Sequence, residues 1–150
     1  MKKKPPMPYP SVGVRDILIH NKEFMELLHG GTLSTRDVPT PLKAPHVTIA
    51  VVGMAGDDPM LRKPIIQVTP WVPDTDVTGI DEDPDITAWN IAARAGELLG
   101  RTKNYALDDD TAMSMSWVDG PVTLYDNKRG KDRTIYYAPV RFMCALRSRR

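Results

Sequence analysis

A single cysteine among 150 residues leaves no internal disulfide to form, so the chain has to hold its shape by packing and backbone hydrogen bonding. Long apolar runs are missing too. Nothing approaches the roughly 20 consecutive apolar residues of a membrane-spanning helix. The opening Met1-Lys2-Lys3-Lys4-Pro5-Pro6 has the charge of a signal peptide without the apolar stretch that follows in one. A soluble chain in a reducing cytoplasm is the expectation. Charge of one sign is scarce: 20 basic residues face 19 acidic ones, for a net charge of +1. That balance excludes a strongly basic protein that neutralises many phosphates at once.

The chemistry-bearing motifs are equally sparse. His29-Gly30-Gly31 and Gly53-Met54-Ala55-Gly56 are the glycine-rich stretches, and both lack the lysine and the strand-to-helix setting that cradle a phosphate. His20, His29 and His46 fall at no metal-ligand spacing. Ser114 and Ser116 have no Gly-x-Ser-x-Gly turn around them. Cys144 sits on an apolar strand face, where a thiol is a small packing group rather than a nucleophile. No catalytic residue, cofactor or metal is therefore expected.

What is present has a clear order. Residues 1–10 hold four prolines and three lysines and read as a flexible, extended arm. Val14, Ile17, Leu18, Met25 and Leu28 recur at helical spacing, with Ser11 as N-cap and Gly30-Gly31 as the stop, which predicts one helix. Pro39, Pro41 and Pro45 mark residues 32–45 as a connecting loop. The β-branched runs at residues 46–52 and 64–72 predict two strands joined by a long polar tip, with Pro70 at an edge or a bulge. Asp83, Pro84 and Asp85 open a second helix that Gly100 ends, and Ile86, Trp89, Ala92, Ala93, Gly96 and Leu99 read as its buried face with Trp89 as anchor. Three strands follow. Met113, Met115 and Trp117 alternate with serines; Val122 and Leu124 come after Gly120-Pro121; and residues 133–146 carry Tyr136, Ala138, Val140, Phe142, Cys144 and Leu146 on a core face. The predicted fold class is α+β: a mostly antiparallel sheet with two helices packed on one face. It occupies residues 11–146 as a single domain, followed by a basic tail at 147–150.

Charge is distributed unevenly along this order. Lys2, Lys3 and Lys4 open the chain and Arg147, Arg149 and Arg150 close it, while Asp74, Asp76, Asp81, Glu82, Asp83 and Asp85 gather in the middle. Such acids suit three uses: a Mg²⁺ or Ca²⁺ site, a solvated helix-capping loop, or a contact surface for another protein. The spacing of Asp74, Asp76, Asp81 and Asp83 superficially matches a calcium loop but lacks its central glycine and closing glutamate.

Several segments, taken in order, resemble the tail terminator, or tail completion, proteins of siphophages that infect actinobacteria. They are Pro45-His46-Val47-Thr48-Ile49, Val52-Gly53, Ile66-Gln67-Val68 before the acidic loop, Ala88-Trp89, Gly120-Pro121, Tyr125-Asp126, and the closing Tyr136-Tyr137-Ala138-Pro139-Val140-Arg141-Phe142. The proline-rich arm and Pro139 inside the last strand depart from that pattern. The resemblance implies a structural virion subunit and no enzyme. It would form a hexameric ring that ends the tail tube at the tail-neck junction, after assembly in the host cytoplasm. Its partners would be further copies of itself, the tail tube protein and a neck or head-closure connector protein. Genomic DNA would pass through the lumen without sequence-specific binding, and no membrane would be involved. Ring symmetry asks each subunit for two different surfaces. Arg62 and Lys63 at the hairpin tip are the expected first surface, and Asp74, Asp76, Asp81 and Glu82 of the neighbour the second, while the arm reaches a different virion protein. The alternatives are another neck, head-closure or minor tail protein, a small metal-dependent enzyme using the acidic loop, and a nucleic-acid module using the basic ends. The last lacks the interleaved aromatics that stack bases, apart from Tyr9.

Overall fold

The β-branched residues that alternate from His46 onward form strands much longer than that alternation alone implies. In a computed structural model, which describes residues 7–58, 60–127 and 134–148 (Asp57 and Asp58 in backbone only), β2 spans His46–Asp58 and β3 spans Leu61–Pro73. The expected polar tip is thus mostly strand. Antiparallel pairing continues through Gly53↔Ile65, Met54↔Pro64 and Ala55↔Lys63, with register shifts at Val51/Gly53 and Ala55/Asp58 that accommodate Val52 and the glycines. β1 (Thr32–Ser34) lies parallel to β2 within the segment expected to be loop, and Thr32 Oγ1 meets His46 Nδ1 at 2.7 Å.

On its other side β3 pairs with β8 (Val140–Ser148) from Leu61 to Val68, and with β7 (Ile135–Tyr137) from Trp71 to Pro73. Beyond these lie β5 (Thr111–Asp119) and β4 (Tyr105–Ala106) next to β8, and β6 (Leu124–Asp126) next to β7. The result is an eight-stranded, mostly antiparallel sheet, and the α+β expectation holds. Pro70 sits inside it rather than at an edge. Its carbonyl accepts from Ala138 N–H at 3.3 Å, so its nitrogen points the same way, into the gap where β3 changes partner from β8 to β7 and no ladder donor is required.

Pro139 breaks the expected closing strand into β7 and β8, and the alternation slips by one there. Ala138, Val140, Phe142, Cys144 and Leu146 are buried as expected, but before the break Ile135 is buried and Tyr136 only partly so. Arg147 and Ser148 belong to β8, whereas the tail at 149–150 and the arm at 1–6 fall outside the described residues.

The first helix is two. α1 (Pro10–Ile19) begins on a proline, with Tyr9 rather than Ser11 at the N-cap position, and Ser11 is buried. Asn21 then leaves helical geometry and its side chain accepts from Phe24 N–H at 2.9 Å, capping a new helix, α2 (Lys22–Leu27). Val14 and Leu18 on α1, Phe24 on α2 and Leu28 at its C-cap each reach the core, so one continuous period described two short helices. A four-residue α3 (Thr75–Thr78) interrupts the acidic loop, and α4 (Pro84–Leu99) follows.

α4 lies over β3, β5, β7 and β8, with α1 and α2 beside it on the same face. Its buried side consists of Thr87, Ala88, Ile91, Ala92, Ala95, Gly96 and Leu99. Ile86 and Trp89 are each 46% exposed, so Trp89 does not anchor the helix. The aromatic that meets α4 is Trp117 of β5. Its indole lies over Gly96, where a Cβ would stand 2.7 Å from the ring, while its Nε1 donates to the Gly120 carbonyl at 2.9 Å. Small residues let the helix sit this close to the sheet. A side chain at position 96 should therefore displace the indole: Gly96→Val is expected to cost about 1–3 kcal/mol in urea unfolding. Trp89→Ala should stay within about 0.5 kcal/mol of wild type, as an exposed site does. A large loss at Trp89 with none at Gly96 would contradict this packing.

Candidate functional site

β3 separates the two charged clusters. Arg62 is the second residue of the strand and Asp74 follows its last, so at about 3.3 Å per residue the two stand up to roughly 40 Å apart. Within one subunit the fold does not bring Arg62 and Lys63 together with Asp74, Asp76, Asp81 and Glu82. It carries them to opposite ends of the sheet.

At the basic end Arg62 pairs with Leu146 and lies beside Arg147 of β8. Its guanidinium donates to the Gly56 carbonyl at 2.5 Å, tying the hairpin end together, and Lys63 next to it is exposed. At the acidic end the carboxylates do local structural work. Asp74 accepts from Thr75 N–H at 2.8 Å and caps α3; Glu82 accepts from Thr87 Oγ1 at 2.7 Å; Asp85 accepts from Ile86 N–H at 2.9 Å. Asp83 occupies the N-cap position of α4 without a side-chain cap bond. Asp76 and Asp81 are exposed. The combined field reaches Tyr136 on β7, whose phenol is pushed above its ordinary range by burial first and by Asp74, Asp85 and Asp83 after it.

Among the described residues no three His, Cys, Asp or Glu side chains converge as metal ligands. Cys144 is buried in the core, where desolvation pushes its thiol to about 12 and keeps it protonated. Ser114 Oγ accepts from Asn104 N–H at 2.9 Å, a bond that ties the 100–104 connection to β5. An apolar hollow of about 290 Å³ lies at the acidic end between Pro39, Thr40, Pro41, Leu42, Pro73, Val77, Thr134 and Ile135, with no titratable side chain in its lining.

Sequence periodicity missed the exposed apolar groups. Val52 is exposed at the bulge in the middle of β2, Met54 and Met60 toward the hairpin end, and Ile86 and Trp89 at the start of α4. For α4 the signal was present: Ala88, Ile91, Ala92, Ala95 and Leu99 form a complete apolar stripe that needs neither Ile86 nor Trp89.

No protein family and no curated protein matches the sequence. A solved structure does. A chain of the virion of a native gene transfer agent particle shares the fold with a TM-score of 0.63 at 15% identity, over 93% of this chain and 99% of that one.

Burial also sets the titration of His46, which lies at the start of β2 with Nδ1 against Thr32 and with no hydrogen-bond partner for Nε2 among the described residues. Desolvation lowers its pKa below the ordinary 6.5, so the folded state holds it neutral while the unfolded chain takes up a proton. The stability this confers is complete above 6.5 and is lost as pH falls toward the lowered folded value. The urea midpoint should drop between about pH 7 and pH 5, and the drop should be shallower in His46→Gln. Equal slopes in the two proteins would assign the effect to other groups.

Proposed function

We propose that this chain is a structural subunit of a phage-like virion: a tail terminator, one of about six copies in a ring that closes the tail tube and joins it to the neck or head-closure connector. The observation that carries the reading is the fold shared over almost the whole of both chains with a virion protein of a gene transfer agent particle. The ordered resemblance to tail terminators over roughly residues 11 to 146 supplies the finer assignment.

The placement of charge supports it physically. A ring is built from a heterologous contact, in which one surface of each subunit meets a different surface of the next. Basic residues at one end of β3 and acidic residues at the other provide two such surfaces. Exposed ion pairs of this kind contribute little energy each, but they select orientation and disfavour like-with-like contacts. A near-neutral chain also suits a lumen through which DNA passes, because dense positive charge would hold phosphates by counterion release. On this reading the protein works through its interfaces and performs no reaction.

The assignment of Arg62 and Lys63 to a subunit contact is tested by charge reversal. Lys63→Glu, alone and with Arg62→Glu, should leave the purified subunit folded by circular dichroism and lower the yield of joined particles and the infectivity at least about tenfold. Lys63→Glu is the cleaner variant, because Arg62 also bonds Gly56. Normal tail joining in both variants would show that these residues do not form the contact.

A further inference from the structure

α4 exposes two large apolar side chains that its own packing does not require. Ile86 and Trp89, 46% exposed each, lie one turn apart near the helix start. Two turns beyond Trp89 on the same stripe is Gly96, covered by Trp117, which is itself 43% exposed. Tyr125 of β6 is 67% exposed and stands 6.5 Å, centroid to centroid, from Tyr136, which feels the charges of Asp83 and Asp85 at the same helix end. Ile86 and Trp89 thus stand on the helix that opens with Asp83 and Asp85, with Trp117 further along it and Tyr125 against the tyrosine that feels those charges. Aromatic anchors rimmed by polar groups are the composition of an interface centre rather than of ordinary surface.

The opposite end of the molecule carries a complement. Met54 and Met60 are exposed toward the β2–β3 tip, Met54 opposite Pro64 and one residue from the Ala55↔Lys63 pair, and Met60 just before Leu61 and Arg62. Methionine adapts its shape to aromatic rings and gains from sulfur–aromatic contact. Lys63 and Arg62 match the sign of the acidic rim.

We propose that Ile86 and Trp89 on α4 form the seat for the β2–β3 tip of a second copy of this chain, with Met54 and Met60 against the aromatics and Lys63 against the acidic rim. The proposal rests on the assembly reading above and makes it specific: the apolar face of α4 is the centre of the contact and the acidic loop is its edge. Because tip and seat are different surfaces at opposite ends of the sheet, the contact can repeat from copy to copy in one direction, as a ring requires, whereas a two-fold pair would use both contacts between the same two copies.

Cysteine cross-linking of the full chain tests this, aided by the buried, protonated Cys144, which leaves the wild-type protein without an accessible thiol. Under mild oxidation at rising concentration, the double variant Met54→Cys with Ile86→Cys should give a ladder of linked copies beyond dimers. An equimolar mixture of the two single variants should stop at a mixed dimer. Sedimentation of Trp89→Ala, with an unchanged melting curve, should show self-association weakened at least about tenfold. Three results would overturn the proposal. If wild type self-associates while the double variant gives no ladder and Trp89→Ala associates normally, the seat is wrong and the assembly reading stands. If Trp89→Ala instead loses binding only to another virion protein, the occupant is not a second copy. If wild type stays monomeric at every concentration, the self-assembly reading fails together with the seat.

Discussion

β3 is hydrogen-bonded along both edges, to β2 on one side and to β8 and then β7 on the other, and the other elements take their places from it. Its even-numbered residues Pro64, Ile66, Val68, Pro70 and Val72 are buried on the face that α4 covers, so a slip of one residue would turn that core outward. The strand also sets the length over which charge is separated. A hairpin of ordinary size would have left Arg62 and the acidic loop close enough to meet within one subunit. Thirteen residues of β3 hold them apart and leave each available to a different neighbour.

How much of this was legible before the fold was known depended on whether the signal was local. The alternation at Val47 and Ile49, at Ile66 and Val68, and from Ala138 to Leu146 gave the strands their correct inner faces, because one side chain in two must leave the water. The capping pattern at Asp83, Pro84 and Gly100 placed α4. Periodicity could not see Asn21, where a single residue leaves the helix and its side chain starts the next. Composition marked residues 53–63 as tip, but the pairing of β2 with β3, and of β3 with β8, held them extended. Propensity also failed for Trp89. Size and apolarity suggested an anchor, whereas α4 meets the sheet along Ala88, Ile91, Ala92, Ala95 and Leu99, and the indole above Gly96 comes from β5.

The charged residues were legible as clusters but not as a geometry. Nothing in sequence spacing says that Arg62 and Asp74 lie at the two ends of one strand, or that Glu82 and Asp74 are partly occupied in capping and loop bonds. Once the ends are known, two unlike surfaces are apparent, and on the proposed assembly reading burial between copies supplies the energy and charge the direction.

The central claim is positional, and a cryo-electron microscopy map of the particle that carries this chain tests it most directly. The account predicts a ring of copies at the head-proximal end of the tail tube, each fitted by this fold, with the β2–β3 end of one copy against α4 of the next. Density for the chain in the capsid shell or at the distal tail, or a finished particle without it, would contradict the account.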